Sequence, residues 1–227
     1  MHAARNHTPS ALALAWSGGK DSALALGRLR RDGVDVHALL TTVTEEYERV
    51  SMHGVRRELL HRQAKALGIL LVEVPIPPAC PNDVYEERMA SALTAPPLEA
   101  LEAVAFGDLF LEDVRAYREE RLAALGKRAV FPLWHADTSA LAREFVAQGF
   151  RAVVVCLDPR RMPRTAAGRA YDESFLAGLP PEVDPCGENG EFHTFVTAGP
   201  LWATPVGCRT GDVVERDGFV FCDLLPA

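Results

Sequence analysis

Five short apolar runs alternate with segments of helical periodicity along the first 134 residues, and this alternation constrains the fold more than any other feature. The runs are Ala11–Trp16, Val36–Val43, Ile69–Val74, Ala103–Phe106 and Ala129–Leu133. Between them lie Asp21–Arg31, Gly54–Leu67, Asn82–Leu93 and Glu112–Leu125, each with apolar residues at three- and four-residue spacing. A strand buried on both faces reads as a continuous apolar run, and parallel strands need helical crossovers. The pattern therefore predicts an α/β fold, an open five-stranded parallel sheet with helices on both faces. Gly33, Gly68 and Gly126 end three of the helices, and Pro75, Pro77 and Pro78 stop the third strand.

After Trp134 the alternation ceases. A helix over Thr138–Gln148, with Thr138 as its N-cap, and a strand over Arg151–Leu157 are expected. A Pro-, Gly- and Arg-rich stretch follows, then strand-like pieces around Asp217-Gly218, a hairpin signal. The expected organisation is a flexible N-terminus over 1–10, an α/β domain over 11–134 and a smaller α+β part over 135–227.

The strongest motif is Ser17-Gly18-Gly19-Lys20-Asp21-Ser22, between the first strand and the first helix. Two glycines let backbone approach a ligand closely, and the free N–H groups of a helix start favour an anion. Ser17 and Ser22 add hydroxyls, Lys20 a cation, and Asp21 a carboxylate able to hold a divalent metal. A Walker A loop is excluded, because Leu14 stands where its first glycine belongs and Asp21 where Ser or Thr should follow the lysine. No G-x-G-x-x-G fingerprint is present.

Two further segments concentrate polar chemistry. Gly107 and Asp108 end the fourth strand, at the edge of the sheet where ligands of open α/β folds lie, and Glu112 and Asp113 open the next helix. The second segment is Asp184-Pro185-Cys186-Gly187-Glu188-Asn189-Gly190-Glu191-Phe192-His193-Thr194. His53 follows the second strand. The arginines Arg160, Arg161, Arg164 and Arg169 form a local basic run, read first as a solvated face.

The loop resembles the pyrophosphate loop, SGGxDS, of the ATP-pyrophosphatases. With Gly107-Asp108-x-x-x-Glu112-Asp113, Phe131-Pro132-Leu133-Trp134 and Gly187-Glu188-x-Gly190-Glu191-Phe192-His193-Thr194, the chain resembles the diphthine–ammonia ligase family over residues 11 to 225. The resemblance implies a pyrophosphate-loop fold with ATP and Mg²⁺ as cofactors. It implies adenylation of an acceptor carboxylate, on an elongation factor 2-like protein or a small molecule, and amidation by ammonia with release of AMP and pyrophosphate. Ser17, Gly18, Gly19, Lys20, Asp21, Ser22, His53 and Gly107 would bind ATP, with Asp21 on the metal. Lys20, Asp21, Asp108, Glu191 and His193 would be catalytic. Asp108, Glu112, Asp113, Glu188, Glu191 and Thr194 would hold acceptor or amine. Two alternatives stay open: an adenylating enzyme acting on another small molecule or on tRNA, and a non-catalytic adenine-nucleotide binding module.

Charge and cysteine usage narrow the setting. Twenty-four basic against 31 acidic residues give a net charge of −7, which disfavours a nucleic-acid partner. Five cysteines without C-x-x-C spacing support neither a disulfide framework nor a zinc site, so a cytoplasmic protein is expected. No run reaches the roughly 20 apolar residues of a membrane helix. A homodimer is left open.

Overall fold

A computed structural model describes residues 11–227, and the N-terminus expected to be flexible, residues 1–10, lies outside the described residues. The five apolar runs form the parallel strands β1 (Ala11–Ala15), β2 (Asp35–Thr44), β4 (Leu70–Ile76), β5 (Ala103–Ala105) and β6 (Arg128–Val130). Their order is β4–β2–β1–β5–β6, every pairing parallel. A two-residue strand, β3 (Arg49–Val50), folds back antiparallel on the end of β2, so the sheet has six strands rather than the expected five.

Successive side chains of β1 enter different cores, as the two-residue period of a strand requires. Leu12 and Leu14 pack with Leu24, Leu26 and Leu29 of α1 (Lys20–Arg31) and with Leu59 and Leu60 of α2 (Arg57–Leu67). Ala13 faces the other side, with Leu93 of α3 (Asn82–Leu93) and Leu122 of α4 (Glu112–Ala124). Helix α2 starts three residues later than its periodicity predicts. Met52 and Gly54 take φ of 65° and 68°, which holds Val50–Val55 in a tight turn ahead of the helix.

The remaining chain forms α5 (Thr138–Ala147), a short α6 (Glu173–Ala177) and a four-stranded antiparallel sheet. The strand order is β8 (Phe192–Ala198), β7 (Arg151–Leu157), β10 (Phe219–Pro226) and β9 (Cys208–Arg216). The N-cap of α5 is Asp137, not Thr138: its carboxylate accepts from the Ala140 amide at 2.6 Å. The hairpin signal corresponds to the β9–β10 turn, where Asp217 and Gly218 both have positive φ, 51° and 80°, as a two-residue primed turn demands.

The first core does not stop at residue 135. It runs on through Phe145 of α5, Phe192 and Phe195 of β8 and Val220 of β10. Phe145 stacks on Phe150 at 4.9 Å and meets the edge of Tyr171 at 5.5 Å. Among the described residues no helix is long and apolar enough to cross a membrane. All five thiols are free.

Phe145→Ala is expected to destabilise the chain by about 3–5 kcal/mol. Urea unfolding followed by tryptophan fluorescence and by far-UV circular dichroism should shift to one lower midpoint for both signals. An unchanged midpoint would show that the aromatic cluster is not part of a shared core.

Candidate functional site

The Ser17–Ser22 loop leaves β1 at the carboxyl end of the sheet and turns into α1 at Gly19. Gly18 has φ of 78°, and a Cβ there would stand 2.7 Å from Gln63 Oε1, so only glycine fits. Gly107, at the end of β5, lies against the start of α1. A Cβ there would meet the Asp21 and Ser22 backbone at 3.0–3.1 Å. The Ser17 hydroxyl accepts from the Gly19 amide at 3.2 Å and lies 3.5 Å from the Ser22 hydroxyl. Ser22 in turn donates to the Gly19 carbonyl at 2.9 Å.

The C-terminal sheet closes on this loop. The Val196 amide donates to the Gly18 carbonyl at 2.9 Å, and the Lys20 amide donates to Thr194 Oγ1 at 3.1 Å. Gln63, fully buried on α2, completes the joint. Its amide nitrogen donates to the carbonyls of Gly18 at 3.0 Å and Val196 at 2.6 Å, and its oxygen accepts from Trp16 Nε1 at 3.0 Å. Gln63 belongs to no motif, yet its position carries a signal. It lies four residues after Leu59 and four before Leu67, on the apolar face of α2, where a polar side chain has to find partners.

Lys20 is 2% exposed. Its ammonium donates to the Asp21 carboxylate at 2.8 and 2.9 Å and to the Cys186 carbonyl, and lies 5.5 Å from the centre of the Phe192 ring. Burial disfavours its charge, but Asp21 and the surrounding groups outweigh this and hold the lysine above its ordinary value.

The segment 184–191 is organised by two carboxylates. Asp184 accepts from the Cys186 amide at 2.9 Å and the Glu188 amide at 3.2 Å. Glu191, fully buried, accepts from the amides of Asp184 at 3.2 Å and Asn189 at 2.9 Å, and from the Asn189 side chain at 3.1 Å. The carboxylate expected to act on substrate is thus bound up within its own loop. Glu188 is different. One oxygen accepts from the Leu109 amide at 2.8 Å. Burial pushes its carboxyl up to about 7, against the Leu109 hydrogen bond and with help from the charge of Asp21. Burial also pushes the neighbouring Cys186 thiol up to about 12, so it is inert as a nucleophile.

His53 and His193 stack with ring centres 4.5 Å apart. His53 Nδ1 lies 3.3 Å from the Thr194 carbonyl, which can only accept. Burial, with the neighbouring His193, holds His53 well below the ordinary imidazole value. Burial, with the charge of Lys20, lowers His193 to about 4. Both rings are therefore neutral at physiological pH. His53 is next to the loop: a Cβ on Gly19 would stand 3.1 Å from its Cε1. His193 also lines a cavity of about 740 Å³ between the ends of β2 and β4 and the β9–β10 hairpin.

Asp108 is engaged by Arg118 of α4, with Nε–Oδ2 at 2.7 Å and Nη2–Oδ1 at 3.1 Å. Glu112 and Asp113 lie exposed in the first turn of α4, where the helix dipole favours carboxylates, and Glu112 faces His135 at 3.8 Å. The structure thus brings together Ser17–Ser22, His53, Gly107, Glu188, His193 and Thr194, while Glu112 and Asp113 stand on the exposed first turn of α4. In the basic run, Arg160 pairs with Asp158 at 2.8 Å, Arg161 with Glu191 at 3.5 Å and Arg164 with Glu215 at 2.9 Å, while Arg169 lies 5.5 Å from the centre of the Phe175 ring. It is a paired surface.

Two family models match the chain: the diphthamide synthase N-terminal domain over residues 10–129 and the diphthamide synthase C-terminal domain over residues 137–216. A rat protein named diphthine–ammonia ligase is 24% identical over 92% of this chain and 86% of its own length, and a mouse protein of the same name gives the same figures. A Schizosaccharomyces pombe diphthine–ammonia ligase is 27% identical over 55% of this chain, a match that spans 21% of that protein. A solved structure, described as a predicted subunit of a tRNA methyltransferase from Methanocaldococcus jannaschii, superimposes with a TM-score of 0.42 at 16% identity, over 83% of this chain and 96% of that one.

Gln63→Leu is expected to cost about 1–3 kcal/mol, because it leaves Trp16 Nε1 and the Val196 carbonyl without this partner in the interior. Amide exchange at Gly18 and Gly19 should quicken in the same variant. Unchanged stability and exchange would show that the loop is held without the glutamine.

Proposed function

The chain belongs to the diphthamide synthase family, and from that premise we propose that it is an ATP-dependent carbon–nitrogen ligase. In this reading it adenylates an acceptor carboxylate and amidates it with ammonia. The observation that supports this most is the continuity of the site. The Ser17–Ser22 loop, the His53–His193 stack and the large cavity follow one another along the carboxyl end of the sheet. Phosphates are assigned to the loop and the base to the cavity.

The steps are those of acyl adenylation. An acceptor carboxylate oxygen attacks the α-phosphorus, the bond to the bridging oxygen of the β-phosphate breaks, and pyrophosphate leaves. Ammonia then adds to the acyl carbon, AMP departs and the amide remains. Lys20, kept charged beside Asp21, favours the negative charge that develops on the leaving pyrophosphate. Ammonia is supplied mostly as ammonium at neutral pH, so a base is required. Glu188, with its carboxyl near 7 and within the field of Asp21 and Lys20, fits that task. Glu191 acts as a positioning residue for the loop that carries Glu188. The acceptor is a diphthine-like carboxylate, on a protein or free. The free thiols support a reducing compartment such as the cytoplasm.

Mg²⁺ in nucleotide sites is held chiefly by phosphate oxygens with one or two carboxylates. Asp21, whose carboxylate lies 2.8–2.9 Å from the Lys20 ammonium, would be the carboxylate that holds it here, where the ion would neutralise charge on the phosphates. No step is assigned to it.

The test is ammonia-dependent formation of AMP from ATP in the presence of an acceptor, followed against pH. The active form of Glu188 is the carboxylate, so the rate should rise as pH increases through about 7 and then level off. Glu188→Gln should lower the rate about 10²–10⁴-fold and remove that limb of the profile. ADP as the main product would overturn the reading. An unchanged profile in Glu188→Gln would remove Glu188 from the chemistry.

A further inference from the structure

The Val50–Val55 turn forms one side of the large cavity and carries His53. It is a strained element by itself. The Val50 amide donates to the Val55 carbonyl at 2.8 Å and the Gly54 amide to the Val50 carbonyl at 2.9 Å, with Met52 and Gly54 between them in the left-handed region. At its base Arg49 and Arg56 are direct cross-strand partners. Two guanidinium groups facing each other in that way repel.

One carboxylate from the C-terminal sheet answers both. Asp223 of β10 accepts from Arg56 through two parallel hydrogen bonds, Nε–Oδ1 at 3.1 Å and Nη2–Oδ2 at 2.6 Å. It also accepts from Arg49 Nη1 at 2.9 Å. The same Arg49 nitrogen donates to the Gly54 carbonyl at 2.7 Å, which ties the turn to the ion pair. Two residues earlier on β10, Phe221 packs over Gly54 so closely that a Cβ there would be 2.7 Å from the ring. On the far side, His53 meets His193 and the Thr194 carbonyl of β8. The turn is therefore held from outside, by two strands of the second sheet.

We propose that Asp223 is a positioning residue for nucleotide binding: by neutralising Arg49 and Arg56 it fixes the Val50–Val55 wall of the cavity, so that affinity for ATP depends on the C-terminal sheet. No contact between Asp223 and the nucleotide is required. The assignment rests on the nucleotide reading of the cavity given above.

The experiment uses the full chain with α,β-methylene-ATP as the probe, and compares wild type, Asp223→Asn and Asp223→Glu. Titration calorimetry should show affinity in Asp223→Asn lower by about tenfold or more, as expected when one partner of a partly buried, hydrogen-bonded charge cluster is removed. Asp223→Glu, which keeps the carboxylate, should recover most of it. Hydrogen exchange should quicken at residues 49–56 in Asp223→Asn and stay as in wild type at residues 17–23, a pattern that general destabilisation would not give. Wild-type affinity together with wild-type exchange at 49–56 in Asp223→Asn would overturn the proposal, and so would equal loss of affinity in Asp223→Glu. Quickened exchange at 49–56 in a protein whose wild type does not bind the probe would overturn the nucleotide reading, while leaving Asp223 as the residue that fixes the turn.

Discussion

The structure depends on one buried polar joint. The Gly18 carbonyl accepts from the Val196 amide and from Gln63, which also engages the Val196 carbonyl and Trp16. A tight strand-to-helix loop has backbone groups without regular partners, and leaving them unpaired inside a protein costs about as much as several hydrogen bonds yield. Here the second sheet and one glutamine take up the Gly18 carbonyl and the Lys20 amide. The joint also explains why the two parts share a core: β8 has to lie against the start of α1 for Val196 and Thr194 to reach it.

The charges around the loop follow from the same arrangement. Closing β8 over the loop buries Lys20, and a buried ammonium needs a counter-ion and oxygen acceptors. Asp21 and the Cys186 carbonyl meet that need, and the aromatic faces of Phe192 and Tyr171 lie within 6 Å. The buried cation then favours neutral imidazoles nearby, as in His193, and partial burial leaves Glu188 poised near neutrality. A positively charged lysine, two neutral histidines and a carboxyl titrating near 7 thus arise from one act of burial.

Much of the fold could be read in the chain because its signals are local. Continuous apolar runs marked the five parallel strands, and Asp217-Gly218 marked a turn that needs positive φ at both positions. The Ser17–Ser22 turn was legible for the same reason: strand, glycines and helix are adjacent in sequence. The segment 184–194 was legible as chemistry but not in its division of labour. Glu188 and Glu191 are three residues apart and compositionally equivalent, yet one is exhausted by backbone amides and the other is half free. Just before Glu188, Gly187 turns with φ of 70° so close to Phe192 that a Cβ would stand 2.7 Å from the Phe192 carbonyl, a local geometry that no spacing rule encodes. Asp223 is not legible in the sequence because its partners are distant: Arg49 and Arg56 lie more than 160 residues before it. Arg118 is only ten residues from Asp108, but the pair forms through the turn from the end of β5 into α4, which no motif marks. Strand β3 and the late start of α2 were missed because left-handed Met52 breaks a pattern that its side chain gives no reason to break.

The central claim is that the two sheets build a single nucleotide site, with phosphates over the loop and the base in the cavity that β10 helps to close. The most direct measurement is a crystal structure of the full chain with α,β-methylene-ATP. The triphosphate is expected against the backbone of Ser17–Ser22, the base between the end of β2 and the β9–β10 hairpin, and Asp223 still bridging Arg49 and Arg56. A nucleotide bound away from the loop, or bound there without any contribution from β8 and β10 to its surroundings, would contradict it.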